Sequence, residues 1–397
     1  MGRDTQAADT GGVTATGPTA VRATAGRPPG GRRRGLLATL VAAALVVPLS
    51  AAAWPRIPAP APAALGRVTA ASLDEAYAAN RADAAEAARM AAAHGDRHRA
   101  AADRALAGPG RQLLAFDGRG AGLATEVLGD LARADRVAVL VPGSDTSLDT
   151  YARFRAGAVA LRAQLARQAP QGTRTAVVAW LGYRTPGTVS AAVTTTGRAE
   201  QAAPRLRALV RQLHTLAGPR AHLSLLCHSY GSVVCGRAAA GPAVDDIVLV
   251  GSPGTGAGSV SGRRTRARGW AARGADARVG GGRPHPPGGR PAAGRPPPPG
   301  APARESGCAR ARAKADAGKR VGMARGADDW VAEVPHISTD LFGTTVGFGT
   351  DPVSPAFGAR VFAAGPGGHS AYFTPGSVSL ANLTRIVLGE TSEVTRA

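Results

Sequence analysis

The sequence feature that most limits the folds open to this chain is a short apolar strand that runs directly into a serine. Residues 223–226 form a buried-strand pattern, residues 227–232 read Cys-His-Ser-Tyr-Gly-Ser, and an apolar segment typical of a helix comes next. A serine at such a turn has a strained backbone, and small residues two positions away let strand and helix approach. Gly231 meets this requirement, whereas Cys227 is larger than the pattern asks for. The segment predicts that Ser229 is a nucleophile.

Strand-like and helix-like segments alternate on both sides of this turn. They lie at residues 112–116, 136–141, 151–168, 175–181, 201–216, 221–226, 232–240 and 246–250. Because parallel strands need crossover connections, this order predicts an α/β protein with a mostly parallel central sheet and helices on both faces. The predicted domain covers residues 111–258 and 321–392, and an Ala-rich helical extension over residues 67–110 precedes it.

A general base is expected late in the chain, because the order in folds with this kind of turn is nucleophile, acid, histidine. His369 lies in a glycine-rich loop at residues 365–370, between a strand-like segment at 360–363 and a predicted C-terminal helix at 378–388. We therefore predict that His369 activates Ser229. His228 is expected to be only a packing or hydrogen-bonding neighbour, since adjacent side chains diverge around the turn.

Two aspartates are candidates for the acid that orients the base. Asp329 occupies the position after the predicted seventh strand, where this arrangement usually carries its carboxylate. Asp351 follows the strand-like residues 344–348 and is the alternative. Asp329 is preferred, and Asp328 and Asp340 are lesser options, because aspartates at such places also serve as turn or cap residues.

Acyl transfer also requires hydrogen-bond donors for the oxyanion that develops. The backbone N–H of Tyr230, directly after the nucleophile, is expected to supply one donor. Ser144 or its neighbour, in the loop after the strand that ends at Val141, is expected to supply the second. The neighbouring Asp145 carries a charge that would oppose an oxyanion, so its side chain should point away.

Several segments, the turn among them, carry a family resemblance, and together they cover most of residues 110–390. They are residues 139–146, 178–183, 227–232, 248–255, 324–335 and 347–372. They resemble an α/β-hydrolase family of high-GC actinobacteria that is catalogued as a domain of unknown function. The resemblance implies the α/β-hydrolase fold, a Ser-His-Asp triad and no metal or other cofactor, and it names no substrate. Cys227 departs from the family pattern, as does Arg184, where similar chains carry an acidic residue.

The chain has three cysteines, Cys227, Cys235 and Cys308. Their number and spacing match neither a disulfide framework nor a zinc site. Cys227 and Cys235 flank the predicted nucleophile, and we predict that they are free buried thiols that act as small hydrophobic residues rather than a disulfide or redox pair.

The N-terminal region has the features of an export or anchoring signal. Residues 1–34 are predicted to be a disordered cytoplasmic tail that ends in three arginines, and residues 35–54 are uncharged and long enough to cross most of a bilayer. Ala51–Ala53 fits a signal-peptide cleavage site, whereas the long polar region upstream fits an uncleaved anchor. Both remain open, and residues 55–66 form a Pro/Ala linker to a domain outside the cytoplasm.

The net charge of +21 is concentrated in one unusual segment. Residues 263–325 contain 16 Arg and Lys against 3 Asp and Glu, whereas the rest of the predicted domain is nearly balanced. Residues 259–320 are dominated by Gly, Arg and Pro, which predicts a disordered insertion. The tetrapeptide Arg-Gly-Ala-Asp at 273–276 recurs at 325–328, so we hypothesise an insertion or a stretch read out of frame. Because the charge is so local, no specific nucleic-acid partner is expected.

Together these features predict a membrane-anchored or secreted serine hydrolase, resembling a carboxylesterase, that acts on a small-molecule or lipid ester through an acyl-enzyme. The alternative is a noncatalytic, envelope-associated binding protein, or a defective hydrolase whose fold is disrupted by residues 259–320.

Overall fold

Strands and helices alternate through most of the chain in the computed structural model, which describes residues 57–240, 244–259, 320–341 and 344–397. The strands within these residues are β1 (Gln112–Asp117), β2 (Leu123–Leu128), β3 (Arg136–Val141), β4 (Thr175–Leu181), β5 (His222–His228), β6 (Asp246–Val250), β7 (Arg320–Ala324), β8 (Ser338–Leu341), β9 (Thr344–Gly347) and β10 (Arg360–Val361). The α-helices are α1 (Leu73–Ala93), α2 (Arg97–Leu106), α3 (Tyr151–Gln168), α4 (Gly197–Ala217), α5 (Gly231–Ala238) and α6 (Val378–Leu388).

Eight of these strands form one sheet in the order β1-β2-β4-β3-β5-β6-β7-β10. The pairs β1–β2 and β2–β4 are antiparallel, and all other neighbours in this sheet are parallel. The predicted mostly parallel α/β sheet is therefore confirmed. The alternation pattern does not predict β2, because a charged residue, Glu126, interrupts it. In the structure Glu126 is buried and is held by Arg111 at 2.6 Å and Arg155 at 2.9 Å.

The central strands bury side chains on both faces, which is why they consist almost entirely of aliphatic residues. In β3, Val137 and Val139 pack in the cluster that includes α4 and α5. The alternate residues Ala138 and Leu140 pack in a second cluster with α3 and α6. This period of two places one helical layer on each face of the sheet.

Helices α1 and α2 cover the antiparallel edge of the sheet. The side-chain amide of Asn80 on α1 donates to the carbonyl oxygen of Leu113 on β1 at 3.0 Å. Arg99 on α2 is buried and forms paired hydrogen bonds of 2.8 and 2.9 Å with Asp149. Polar contacts therefore tie α1 to β1 through Asn80 and α2 to the loop before α3 through Arg99.

A buried polar group lies at the end of the sheet where β5, β6 and β7 begin, and we call it the lower cluster. Its centre is Asp246, whose carboxylate contacts His222 Nε2 at 2.6 Å, accepts from Ser224 Oγ at 3.2 Å and accepts from Arg320 Nε at 2.8 Å. Burial raises the pKa of Asp246, but these hydrogen bonds outweigh burial and the net pKa is lowered.

Several predicted features lie outside the described residues: the tail at 1–34, the membrane segment at 35–54, nearly all of 259–320, and Cys308. Within the described part, no helix is both long and apolar enough to cross a bilayer. The described residues all belong to one compact unit, Arg56–Ala397. Although 69 residues separate Val250 from Arg320, β6 and β7 pair in continuous register from Asp246–Arg320 to Val250–Ala324.

Candidate active site

Ser229 occupies a sharp turn between β5 and α5. Its φ is +53°, a left-handed value that among non-glycine residues of the described part only Asp145 shares. The Ser229 N–H donates to the carbonyl of Val250 at 3.0 Å. Gly231 is required for this turn, because a Cβ there would lie 2.6 Å from the carbonyl oxygen of Val141. The backbone therefore has the strained strand-turn-helix geometry that the sequence pattern predicts.

Cys227 and Cys235 form a disulfide across this turn. Cys227 ends the buried part of β5 and Cys235 lies in α5, and the turn folds the helix back so that their Cα atoms are 6.5 Å apart. The prediction of two free thiols is therefore wrong. Spacing along the sequence misses the pair because a separation of eight residues becomes a short distance only after the turn has formed.

His369 reaches the serine from the loop between β10 and α6. Its Nε2 atom lies 2.8 Å from Ser229 Oγ. The loop contains Gly365 and Gly367, whose φ values of +74° and +137° are accessible mainly to glycine. The sequence-predicted nucleophile and base are thus brought into hydrogen-bond contact over 140 residues of chain.

Asp329 contacts the other side of the imidazole. Its Oδ1 atom lies 2.9 Å from His369 Nδ1 and also accepts from the Val331 N–H at 2.9 Å. Tyr372 donates its hydroxyl hydrogen to Asp329 Oδ2 and accepts from the Gly326 N–H at 2.9 Å. Burial raises the pKa of Asp329, but the hydrogen bonds from His369 and Tyr372 outweigh it and lower that pKa to about 2.

These contacts determine which atoms of the site carry the hydrogens. An ionised Asp329 can only accept, so His369 carries its hydrogen on Nδ1 and leaves Nε2 free to accept from the Ser229 hydroxyl. The arrangement can withdraw a proton from Ser229 and stabilise the resulting imidazolium through Asp329.

Asp351, the alternative acid, is engaged elsewhere. Its two carboxylate oxygens accept from Arg325 at 2.5 and 3.1 Å, and its Oδ1 accepts from the Val353 N–H at 3.1 Å. Burial raises its pKa, but the Arg325 guanidinium outweighs burial and the net pKa is lowered. Asp328 and Asp340, the lesser options, are exposed. Of the four carboxylates, Asp329 is the one hydrogen-bonded to His369.

His228 lies beside His369, and within the described residues it forms no hydrogen bond with Ser229 Oγ. Its Nε2 lies 2.6 Å from the carbonyl oxygen of His369, and because a carbonyl only accepts, this nitrogen must carry the hydrogen. The two imidazole rings are 4.8 Å apart. Burial and the neighbouring His369 lower the pKa of His228 to about 4, which keeps it neutral. The prediction of a hydrogen-bonding neighbour is confirmed.

The loop after β3 passes directly over the nucleophile. A Cβ at Gly143 would lie 2.6 Å from Ser229 Cβ, so only glycine fits there. Within the described residues, the backbone N–H groups of Tyr230 and Ser144 have no hydrogen-bond partner. The carboxylate of Asp145 accepts from the Thr188 N–H at 3.0 Å. Two donors therefore remain free near Ser229, while the nearby charge is held by another loop.

Three residues of the site are missed by sequence reasoning. Tyr372 binds the acid, Trp330 packs on the imidazole with ring centroids 4.7 Å apart, and a Cβ at Gly251 would lie 2.8 Å from Asp329 Oδ2. The only signal for Tyr372 and Trp330 is their position close to His369 and Asp329 in the sequence.

The sequence of residues 117–285 matches a family described as alpha/beta hydrolase. Uncharacterized proteins from Mycobacterium tuberculosis and Mycobacterium bovis are 30% identical to this chain over 167 residues. The match covers 40% of this chain and 63% of those relatives, so the chain spans just under two thirds of their length.

Among solved structures, the chain is similar to a crystal structure of esterase PE8, with 15% identity and a TM-score of 0.36, covering 67% of this chain and 97% of that one. It is also similar to the siderophore hydrolase EstA from Aspergillus nidulans, with 13% identity and a TM-score of 0.35, covering 68% and 91%.

The sheet order, the turn at Ser229 and the family match over residues 117–285 agree with one another. The resemblance to an α/β-hydrolase family with actinobacterial relatives is confirmed, and the chain has the α/β-hydrolase fold.

Proposed function

We propose that this chain is a serine hydrolase in which Ser229 is the nucleophile, His369 the general base and Asp329 the residue that orients the base. The observation that carries the proposal is the continuous hydrogen-bonded series from Asp329 through His369 to Ser229, with distances of 2.9 and 2.8 Å. Nucleophile and base within this reach, with the base held by a third group, are what nucleophilic acyl transfer requires.

The proposed reaction is hydrolysis of a carboxylic ester. Ser229 Oγ attacks the carbonyl carbon while its proton passes to His369 Nε2, and the N–H groups of Tyr230 and Ser144 stabilise the oxyanion. His369 then gives the proton to the departing alcohol oxygen, which leaves an acyl-enzyme. Water, deprotonated by His369, releases the acid and restores Ser229. No cofactor takes part in this scheme.

We further infer that a small-molecule or lipid ester is the substrate and that the domain works outside the cytoplasm, either secreted or held by a membrane anchor at residues 35–54. The Cys227–Cys235 disulfide supports this location, because disulfides persist mainly in oxidising compartments. The arginines that precede the apolar segment also favour export of the domain on its C-terminal side.

Labelling of the full chain with a fluorophosphonate tests the proposal. The probe should attach to Ser229, identified by peptide mass spectrometry, and Ser229→Ala should abolish labelling. Ser224→Ala is the matched control, since this buried serine lies on β5, the strand that leads into the turn at Ser229, and contacts an aspartate of the lower cluster. It should retain labelling.

Persistent labelling of Ser229→Ala would contradict the proposal. A cooperatively melting parent chain that takes up no probe would contradict it too, and would favour the noncatalytic binding protein instead.

A further inference from the structure

A half-exposed tryptophan lies against the imidazole of His369. The rings of Trp330 and His369 are 4.7 Å apart and inclined by 50°. Ser229 and Asp329 are buried, but Trp330 keeps 53% of its surface exposed. One part of its ring therefore contacts His369, and about half of its surface is open to solvent beside that imidazole.

The backbone holds this tryptophan in place through the acid itself. Asp329 precedes a 3₁₀ helix over Trp330–Glu333, and its carboxylate caps that helix by accepting from the Val331 N–H. The side chain of Val331, next in sequence, is fully buried. The backbone at Trp330 is therefore held by the same carboxylate that orients His369, and the indole lies against the imidazole of that residue.

The chemistry of acyl transfer tells which part of an ester meets this face. In acylation, His369 Nε2 delivers its proton to the alcohol oxygen as the C–O bond breaks and that oxygen takes the bonding electron pair. The alcohol must then lie next to the imidazole. The N–H groups of Tyr230, which follows Ser229, and of Ser144, which follows the Gly143 that packs on Ser229, have no partner among the described residues and are available to the carbonyl oxygen instead.

We propose that Trp330 is a specificity-determining residue that packs on the alcohol part of the ester, so that the enzyme prefers esters of apolar, planar alcohols. This inference rests on the proposed serine hydrolase function. An aromatic alcohol covers the exposed indole face, gains offset or edge-to-face ring contact and removes apolar surface from water.

The two half-reactions separate this role from a general structural one. The alcohol is present during acylation and has departed before water attacks the acyl-enzyme. Loss of Trp330 should therefore slow acylation by aromatic esters more than it slows the hydrolysis of a common acyl-enzyme.

The experiment compares benzyl butyrate with ethyl butyrate, which share an acyl group and release alcohols of similar acidity. In Trp330→Ala the ratio of kcat/KM for benzyl over ethyl butyrate should fall about tenfold, and Trp330→Phe should restore most of it. The rate at which a preformed butyryl-enzyme is hydrolysed should differ among the three proteins by less than this ratio does. Ile337→Ala, which removes another exposed apolar side chain, is the matched control and should keep the parent ratio.

An unchanged ratio in an active Trp330→Ala protein would overturn the inference, as would an equal fall in Ile337→Ala. If Trp330→Ala does not melt cooperatively, the contrast between Trp330→Phe and Trp330→Gln supplies the same test. Fluorophosphonate labelling separates a failure of the hydrolase proposal from a failure of this inference. A parent chain that is not labelled at Ser229 overturns both. A labelled parent chain with an unchanged ratio in Trp330→Ala overturns this inference alone.

Discussion

A serine, a histidine and an aspartate lie near each end of strand β5. At only one end do the hydrogen bonds run from the aspartate to the histidine and from the histidine to the serine. At the upper end, Asp329 contacts His369 and His369 contacts Ser229. In the lower cluster, His222 and Ser224 both contact the same oxygen of Asp246. The hydroxyl of the lower serine therefore donates to the carboxylate and is not hydrogen-bonded to the imidazole of His222. Residue types alone do not make a catalytic triad; the order of the contacts does.

The two aspartates also differ in their cationic partners. Asp246 binds the guanidinium of Arg320, whereas Asp329 accepts from His369, Tyr372 and a backbone N–H. A nearby guanidinium, that of Arg325, is held by Asp351 instead. Asp329 is thereby left to stabilise the imidazolium that forms when His369 takes a proton, which a permanent cation at the same carboxylate would oppose.

The strongest test of this comparison exchanges each aspartate for asparagine. Asp329→Asn should lower kcat/KM by about a thousandfold or more, because the amide no longer stabilises the imidazolium or fixes its tautomer. Asp246→Asn should keep the activity of each folded molecule but lower the free energy of unfolding by about 2 kcal/mol, since the partly exposed Arg320 loses a charged hydrogen-bond partner. Ester hydrolysis and urea denaturation measure the two effects.

Asp351→Asn is the control for the first variant, because Asp351 is the other sequence-predicted acid. It should change kcat/KM only a few-fold. A thousandfold loss in Asp351→Asn with normal activity in Asp329→Asn would reverse the assignment of the acid.

His228, at the upper end of β5, should make the stability of the protein depend on pH. The pKa of His228 is lowered to about 4 in the folded chain and is 6.5 in the unfolded one. Between these values only the unfolded chain takes up the proton, so the free energy of unfolding should fall by up to about 3 kcal/mol as the pH drops from 6.5 to 4. His228→Gln keeps a donor for the His369 carbonyl but cannot titrate, so urea melts of this variant should show a shallower decline. An identical decline in both proteins would exclude His228 as its source.

A smaller effect is expected from the disulfide, which ties the upper end of β5 to α5. Reduction should lower the free energy of unfolding by roughly 2.5 kcal/mol, the loop-closure contribution expected for a crosslink spanning a separation of eight residues. Denaturation with and without a reductant measures it, with the Cys227→Ala/Cys235→Ala double variant as a control that should not respond. A reduced protein with the parent's unfolding midpoint would show that the crosslink contributes nothing.

The parts of the site that local sequence predicts are those formed by contiguous residues. The turn at Ser229 is predictable because strand, turn and helix succeed one another within a few residues, and α6 is predicted with the bounds that the structure has. The strand β2 is not, because the charge of Glu126 is compensated by Arg111 and Arg155, which are distant in sequence.

Choosing between Asp329 and Asp351 likewise depends on a long-range contact. Both come after strand-like segments, and what separates them is that Arg325 binds one and His369 the other. The same reason explains why the sequence does not predict the lower cluster, the disulfide or the position of Trp330. Each forms only after distant segments, or segments joined by a turn, have come into contact.

The junction between β6 and β7 divides the chemistry between two pieces of chain. Ser229 lies on the piece that ends with β6, whereas Asp329 and His369 lie on the piece that begins with β7. The two pieces meet where β6 pairs with β7, from Asp246–Arg320 to Val250–Ala324. Neither piece holds a nucleophile together with its base. Under the proposed mechanism, turnover at Ser229 requires both pieces to have assembled, which makes this architecture a natural template for a split reporter enzyme.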